Sequence, residues 1–358
     1  MKILYASGLS PNDSSLYRLW ALERLGHDVN PLNAFDYEPR NSLVRKITFR
    51  LAAGASVDRL NRDIVRIAGQ ERPDVLWADK LLSMRPETLD RLRSLGIATV
   101  SYMIDNPFGP RRDPGWRLYM KNIPHYDLHV VQRDKNIADY RSRGARDVIK
   151  IQTAYEPTLH FPPLPGWSDR DRDRCVSFIG TPYDDRAETL RRLSGEFPVA
   201  ISGSRRYWER ALAPKVFAAL YREGELHQEK YREAIWRSKI NLSFITHSNQ
   251  DEFVHKSFEI AGCGGFLLAE RSDGHMQRFR EDEEAVFFSS FDDCVQKIRR
   301  YLPDEAARAR IAAAGHARAQ RDGYHNDHQV GLIMERAARI VHALKAGAGE
   351  LAPADAAV

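Results

Sequence analysis

The stretch DEFVHKSFEIAGCGGFLLAE, residues 251–270, decides the fold expected for this chain. Apolar residues recur at helical spacing through its first half and predict a short amphipathic helix. Glycines at positions 262, 264 and 265 then form a turn, and residues 266–269 predict a buried strand. A helix that passes through a glycine turn into an apolar strand indicates an α/β protein.

The amino end of this helix carries residues suited to binding a ligand. Lys256 and His255 lie where the free backbone N–H groups of a helix start favour an anion such as phosphate. Glu259, about one turn further along, is placed to hold a diol such as a ribose, as the acidic residue of a dinucleotide site does. Ser257 is a further candidate contact, and Asp251 precedes Glu259 with seven residues between them. The pattern predicts a sugar-nucleotide pocket, and a capped surface helix is the alternative.

This stretch and its neighbours resemble the CgeB-like (spore maturation protein-like) glycosyltransferases. The neighbours are YREAIWRSKINLSF (residues 231–244) and MQRFREDEEAVFF (residues 276–288). These enzymes belong to the wider GT-B class, whose retaining members carry two glutamates separated by seven residues. Asp251 and Glu259 have that spacing, with aspartate in the first place, so the resemblance implies that Asp251 is a catalytic residue. The resemblance is clearest over residues 175–335 and implies a nucleotide-sugar donor and retention of configuration.

Composition argues against several other classes of protein. The 358 residues include 54 basic and 49 acidic side chains, and the net charge of +5 is not typical of a nucleic-acid-binding protein. Cys175, Cys263 and Cys294 lie far apart beside apolar residues, so we expect neither a disulfide framework nor a zinc site. We expect a cytoplasmic protein, because no run approaches the ~18 apolar residues of a membrane span and MKILYASGL does not resemble a signal peptide.

Residues 1–155 alternate strands with helices at short connections, which predicts a parallel sheet wrapped on both faces. The resemblance makes this Rossmann-like domain the acceptor domain. Asp105 ends the predicted strand 98–105, and ligands of such sheets bind at the carboxyl ends of the strands. Asp105 is therefore a candidate catalytic residue that accepts a proton from the attacking hydroxyl or binds the donor sugar. Capping of the turn that follows is the alternative.

A helical region rich in arginine spans residues 42–69. Its basic residues include Arg45, Lys46, Arg50, Arg59, Arg62 and Arg66. A solvated helix face is the simpler interpretation of this stripe. The alternative is a peripheral contact with an acceptor or a membrane surface.

Residues 156–174, EPTLHFPPLPGWSDRDRDR, interrupt the alternation with four prolines and predict an interdomain linker. Asp169, Asp171 and Asp173 have the D-x-D spacing of metal-dependent glycosyltransferases. They precede a predicted strand and alternate with arginines, whereas a metal-binding motif should follow a strand. We therefore expect no metal site, and no cofactor apart from the nucleotide-diphosphate sugar that serves as substrate.

Residues 175–326 predict a second Rossmann-like domain, to which the resemblance assigns the donor. The last helix, residues 327–345, is expected to pack back on the first domain, as in GT-B proteins. Residues 346–358, rich in Gly and Ala, are expected to be a disordered tail. The predicted fold is α/β with GT-B architecture, in which two doubly wound parallel-sheet domains face a cleft.

A sugar transferase without a metal stabilises the departing diphosphate with fixed positive charge and backbone N–H donors. Arginine suits this task because its guanidinium binds phosphate through two parallel hydrogen bonds. Candidates besides Lys256 follow predicted strand ends of the second domain: Gly180, Arg186, Arg205 and Arg206. His247 precedes Asp251 in a loop and is either a phosphate or sugar contact or an ordinary loop residue.

The residues and the resemblance together predict a hexosyltransferase-like enzyme that is independent of metal and retains configuration. Its partners would be a nucleotide-sugar donor and a glycan, protein or small-molecule acceptor. Two alternatives stay open. One is a non-catalytic nucleotide-sugar-binding protein of the same fold, and the other is a GT-B nucleotide-sugar epimerase.

Overall fold

The computed structural model describes residues 1–110 and 114–346, which form two compact units. Unit 1 comprises Met1–Gln152 together with the chain from Asp327 onward, and unit 2 comprises Thr153–Asn326. In the described residues each unit contains one parallel sheet of six strands with flanking helices. The predicted α/β class with two Rossmann-like domains is confirmed.

Unit 1 is built on a sheet whose strands all run parallel. Its strands are β1 (Lys2–Ser7), β2 (Asp28–Asn33), β3 (Val75–Asp79), β4 (Ala98–Tyr102), β5 (Leu128–Val131) and β6 (Val148–Lys150). Its first helices are α1 (Ser15–Arg24), α2 (Ser42–Leu51), α3 (Ala55–Glu71), α4 (Pro86–Ser94), α5 (Trp116–Asn122) and α6 (Asp134–Ser142). The strand order is β2-β1-β3-β4-β5-β6.

The central strands of unit 1 are apolar on both faces because helices cover both sides of a parallel sheet. Ile3 and Tyr5 of β1 pack into one apolar cluster, and the alternate residues Leu4 and Ala6 pack into another. The strand β4 ends at Tyr102, so Asp105, which was predicted to end this strand, lies three residues beyond it. The chain leaves the sheet there and turns.

The arginine-rich region 42–69 is two helices, not one. The helix α2 ends at Leu51, and Ala52 adopts a left-handed conformation with φ of 49°. Gly54, with φ of 118°, is the cap residue that precedes α3. Glycine tolerates this backbone conformation, and a residue with a Cβ atom is strained there.

Unit 2 repeats the architecture with a second sheet of parallel strands. Its strands are β7 (Arg174–Ile179), β8 (Val199–Ser202), β9 (Tyr221–Glu223), β10 (Ser238–Ser243), β11 (Leu267–Glu270) and β12 (Val286–Phe288). Its helices are α7 (Arg186–Leu193), α8 (Arg205–Ala211), α9 (Pro214–Leu220), α10 (Gln228–Trp236), α11 (His255–Gly262), α12 (Asp273–Arg278), α13 (Phe291–Tyr301) and α14 (Glu305–Arg321). The strand order is β12-β11-β10-β7-β8-β9.

Two elements of unit 2 differ from the sequence-based expectation. The predicted helical region 207–237 contains the edge strand β9 between α9 and α10. The helix α8 ends at Ala211, Pro214 is the first residue of α9, and the chain after α9 pairs with β8. The central helix α11 begins at His255, so Asp251 lies in the loop before it and not in its first turn.

The proline-rich segment 156–174, predicted as an interdomain linker, is grouped with unit 2. Asp169 forms an ion pair with Arg308 at 2.5 Å, and Trp236 Nε1 donates to the Phe161 carbonyl oxygen at 2.9 Å. Glu156 is fully buried and accepts a hydrogen bond from Asn326 Nδ2 at 3.2 Å. The segment's own side chains therefore anchor it to unit 2.

The last helix, α15 (Asn326–Lys345), lies in unit 1 from Asp327 onward. Val330, Ile333 and Ala337 pack into the same apolar cluster as Tyr5 of β1. The predicted tail lies outside the described residues from position 347 onward. All three cysteines are unpaired thiols. None of the helices in the described ranges is both long enough and apolar enough to cross a membrane.

Candidate functional site

The buried side chain of Arg186 joins two loops at the carboxyl edge of the unit 2 sheet. Its Nη2 donates to the carbonyl oxygens of Phe244 (3.3 Å) and Ile245 (3.1 Å) and to Thr246 Oγ1 (2.9 Å). Its Nη1 donates to the Thr181 carbonyl oxygen at 3.3 Å. Arg186 therefore fixes the loop after β7 against the loop after β10.

Three carboxylates lie close enough to act on the charge of this guanidinium. Burial lowers the pKa of Arg186, while the negative charges of Asp184, Glu270 and Asp251 act in the opposite direction. Arginine stays protonated in proteins, so the site keeps a fixed positive charge. Asp251 in turn accepts a hydrogen bond from Asn249 Nδ2 at 2.9 Å. The structure thus brings the predicted residues Arg186 and Asp251 into one charged cluster.

Glu270 and His247 form a second part of this edge. Glu270 Oε2 accepts from the Ile245 backbone N–H at 2.9 Å, and Glu270 Oε1 lies 2.7 Å from His247 Nε2. The His247 side chain is otherwise mostly exposed. Glu270 is the last residue of β11. A carboxylate at the carboxyl end of a parallel strand is a sequence signal for a ligand-binding residue, and the sequence analysis did not use it for Glu270.

Glu259 is the centre of a compact polar cluster on α11. Tyr231 Oη donates to Glu259 Oε2 at 2.6 Å, and His255 Nε2 lies 3.2 Å from Glu259 Oε1. Burial by itself would raise the pKa of the Glu259 carboxyl, but His255, His160 and Lys256 together lower that pKa well below its ordinary value. Glu259 is therefore a carboxylate throughout the neutral pH range.

Lys256 lies beside this carboxylate, in the first turn of α11. Its Nζ donates to Tyr231 Oη at 3.2 Å and stands 5.0 Å from the centre of the Tyr231 ring. Burial lowers the pKa of Lys256 to about 8, against the opposing effect of Glu259. The ammonium form still predominates at pH 7, so the cluster combines a cation with the amino end of a helix.

Gly180 borders Lys256 at the end of β7. A Cβ atom at Gly180 would lie 3.6 Å from Lys256 Cε and 3.0 Å from the Phe178 ring, and the φ of +157° is strained for other residues. Gly203, at the end of β8, packs so closely that its Cβ would lie 2.2 Å from the Gly180 carbonyl oxygen. Both positions require glycine because the two strand ends approach each other.

Each ring nitrogen of His255 lies close to a different side chain. Its Nδ1 forms a short hydrogen bond with Thr153 Oγ1, and its Nε2 faces Glu259. Sequence reasoning missed Thr153, His160 and Tyr231, which come from other segments of unit 2 and share no spacing with α11. The only available sequence signal was that Tyr231 opens a segment on which the resemblance rests.

Three residues predicted as ligand contacts have surroundings of other kinds. Ser257 is fully buried, and its hydroxyl lies 2.9 Å from both Ser243 Oγ and His275 Nε2, so its side chain belongs to the interior. Arg205 is exposed and pairs with Glu209 at 2.7 Å. Arg206 is likewise exposed.

The D-x-D aspartates have partners of their own. Asp169 pairs with Arg308 and, at 3.2 Å, with Lys239. Asp171 accepts from the Ser168 backbone N–H at 2.9 Å, and Asp173 pairs with Arg237. Across residues 1–110 and 114–346, no group of three or more metal-ligating side chains comes together.

In unit 1, Asp105 is partly exposed near the carboxyl edge of the sheet. Its Oδ2 lies 3.7 Å from Lys80 Nζ, which follows β3. The neighbouring Asn106 is the residue that caps the turn, since its Oδ1 accepts from the Phe108 backbone N–H at 3.1 Å. Asp79, at the end of β3, is instead buried in an ion pair with Arg18.

Comparison with known proteins agrees with this architecture. Residues 186–335 match the protein family described as glycosyl transferase-like. Sucrose-phosphate synthase from Thermosynechococcus elongatus superposes with a TM-score of 0.67 at 14% identity, covering 96% of this chain and 99% of its own. HepE of Anabaena, solved in complex with UDP-glucose, gives a TM-score of 0.63 at 12% identity over 94% of this chain and 100% of its own. The fold is that of the GT-B glycosyltransferases.

Two further proteins extend the comparison. An Escherichia coli protein solved with UDP-2-fluoro glucose shares the GT-B fold, with a TM-score of 0.63 and 12% identity over 94% of this chain and 99% of its own. An uncharacterized protein of Bacillus anthracis is 25% identical over 178 residues, which are 48% of this chain and 49% of that protein. The chain thus matches about half the length of that relative.

Proposed function

We propose that the protein is a glycosyltransferase that moves a sugar from a nucleotide-sugar donor to an acceptor. The observation that carries the proposal is the cluster on α11, where the ionised Glu259 is held by Tyr231 and His255 and stands beside Lys256. A carboxylate of this kind suits the two hydroxyls of a ribose. A lysine at a helix start suits the diphosphate.

The same groups support the departure of the nucleotide. As the glycosidic bond breaks, negative charge develops on the leaving diphosphate, and fixed positive charge stabilises it. Lys256 and the N–H groups at the amino end of α11 would supply this charge directly. Arg186 already donates to three carbonyl oxygens and a hydroxyl, so its contribution would be its charge and the placement of the two loops.

The finer parts of the proposal rest on resemblance. We propose a UDP-hexose donor, because the similar HepE and E. coli proteins were solved with UDP-glucose and UDP-2-fluoro glucose. Retention of configuration and membership of the CgeB-like group are proposed from the spacing of Asp251 and Glu259. A cytoplasmic location suits the three unpaired cysteines.

The substitution Glu259→Gln tests the ribose contact. We expect it to weaken nucleotide binding by about 1–3 kcal/mol, the range for a lost hydrogen bond to a charged group. Thermal shifts with UDP, GDP, dTDP, CMP and ADP would first identify the nucleotide, because a ligand that binds the folded state raises its stability. Calorimetry with that nucleotide would then compare wild type, Glu259→Gln and the control Glu233→Gln, which changes an exposed residue of α10. Unchanged affinity in Glu259→Gln would remove Glu259 from the pocket.

The reaction is expected to proceed without a divalent cation. Release of nucleotide diphosphate from the sugar donor should be the same after treatment with EDTA, because the proposed leaving-group contacts are Lys256 and the amino end of α11. A loss of turnover on chelation that Mn²⁺ or Mg²⁺ restores would contradict this mechanism. Binding of the nucleotide with no turnover of its sugar form would favour a binding protein over an enzyme.

A further inference from the structure

Helix α2 presents an apolar face to solvent. None of the residues of Ser42–Leu51 is buried. Leu43, Val44, Ile47 and Leu51 are exposed by 65%, 48%, 49% and 64% of their surface. At about 100° per residue, these four side chains fall within one sector of roughly 100° around the helix. They form a continuous apolar surface, named here the α2 stripe.

The opposite side of α2 contacts the rest of unit 1. Thr48 and Phe49 line a pocket together with Leu60 of α3 and Leu82, which follows β3. Phe49 also packs close to Gly115, so that a Cβ atom at that glycine would lie 3.1 Å from its ring. The helix is therefore held from one side, and the α2 stripe is not part of this packing.

The charge of the segment that carries the stripe is positive, and the carboxylate of Glu38, just before it, lies 3.9 Å from Arg45 Nε. Residues 40–51 contain four cations and no carboxylate. On the helical projection Lys46 and Arg50 border the stripe, and their long stems can lie along an apolar surface while the charged ends reach outward. The surface thus combines exposed apolar groups with flanking cations, which is the pattern of a helix that lies in a membrane interface.

The position of α2 in the fold is also informative. The helix follows β2, and the pocket beneath it is lined by residues that follow β2, β3 and β4. It therefore lies at the carboxyl edge of the unit 1 sheet, where open α/β sheets bind their ligands. Asp105 and Lys80 follow strands at the same edge.

We propose that the α2 stripe docks unit 1 on an anionic lipid membrane. The four apolar side chains would enter the boundary between headgroups and acyl chains, and Lys46 and Arg50 would lie among the lipid phosphates. An anionic membrane offers apolar and negatively charged contacts side by side, which matches this surface. A helix of ten residues implies weak and reversible docking. The proposal rests on the surface of unit 1 alone and is independent of the proposed function.

Flotation of the full chain with lipid vesicles tests the docking. We expect the chain to float with vesicles that contain phosphatidylglycerol and phosphatidylcholine, and to remain unbound with phosphatidylcholine alone. High salt should release it, because exposed charges are screened. Absence of flotation with the anionic vesicles at low salt would overturn the proposal.

Two variants separate the apolar and the electrostatic contributions. The triple variant Leu43→Ser, Ile47→Ser, Leu51→Ser removes most of the apolar surface, and the double variant Lys46→Glu, Arg50→Glu reverses the flanking charge. We expect each to lower the partition into anionic vesicles at least roughly tenfold. All five positions lie on a helix without buried residues, so both variants should keep the circular dichroism spectrum and thermal midpoint of wild type.

Matched controls change exposed residues outside α2. Leu164, exposed by 81%, provides Leu164→Ser, and the exposed Arg210 provides Arg210→Glu. Both should float like wild type. If the triple variant does not fold, the charge reversal alone decides the question. If the charge-reversed variant floats like wild type, the proposal is overturned. The proposal is also overturned if the wild-type chain is a dimer and the triple variant is a monomer, because the α2 stripe would then be a contact between two copies of the chain.

Discussion

The substitution Asp105→Ala is expected to lower turnover of the nucleotide sugar by about 10²-fold or more while leaving nucleotide affinity close to that of wild type. Asp105 lies near the carboxyl edge of the unit 1 sheet, partly exposed, with Lys80 at 3.7 Å. A side chain that takes the proton of an attacking hydroxyl contributes on this scale. The proposed nucleotide contacts all belong to unit 2, so the loss of this carboxylate should leave them intact.

Release of nucleotide diphosphate measures turnover, with water as the acceptor where no other is known, and calorimetry measures affinity. Asp28→Ala is the matched control, because Asp28 is an exposed aspartate at the amino end of β2. Lys256→Ala should instead weaken both affinity and turnover, since Lys256 is proposed to contact the diphosphate. Normal turnover of Asp105→Ala would show that Asp105 takes no part in the reaction.

The substitution Asp79→Ala is expected to destabilise the protein by about 3–5 kcal/mol. Asp79 is almost fully buried, and its carboxylate accepts from Arg18 Nε at 2.5 Å, from Arg18 Nη2 at 3.0 Å and from Tyr5 Oη at 2.7 Å. The Arg18 guanidinium also lies 4.3 Å from the centre of the Tyr102 ring. Removal of the carboxylate leaves the guanidinium buried without its counter-charge, which is the costly part of breaking such a pair.

Urea unfolding followed by circular dichroism measures this loss. The double variant Arg18→Met, Asp79→Ala is the informative comparison, because it removes the buried cation as well and should recover much of the stability. Exposed pairs such as Arg205–Glu209 provide a control, since Glu209→Ala should cost at most about 1 kcal/mol. If the single and double variants of the buried pair are equally unstable, lost packing and not the unpaired charge is the cause.

The fold was predictable because the hydrophobic patterns of its strands and helices each extend over only a few neighbouring residues. Runs such as VLWAD and ATVSY are buried on both faces in a parallel sheet, and helices of ordinary length separate them. The errors occur where tertiary contacts override local preference. The strand β9 pairs with the edge strand β8, and Asp169 of the segment 156–174 pairs with Arg308 of unit 2; both contacts join residues far apart in the chain.

The candidate site was predictable only in part. Lys256 and Glu259 share the first turns of one helix, so their proximity follows from helical spacing alone. Tyr231 and Glu270 belong to other segments of unit 2. Their spacing along the chain does not predict that they contribute to the candidate site. Ser257 shows the same limit, because its position on α11 predicted a ligand contact while its hydroxyl lies 2.9 Å from Ser243 Oγ and from His275 Nε2.

The sequence by itself therefore determined the alternation of strands and helices, the α/β class and the lysine and glutamate on α11, because hydrophobic periodicity and helix geometry act over a few residues. Only the tertiary structure decided which side chains surround Glu259, that Arg186 is tied to backbone carbonyls, and that the apolar side of α2 is left exposed. Those outcomes depend on contacts between residues far apart in the chain, which the folded backbone creates and local periodicity does not encode.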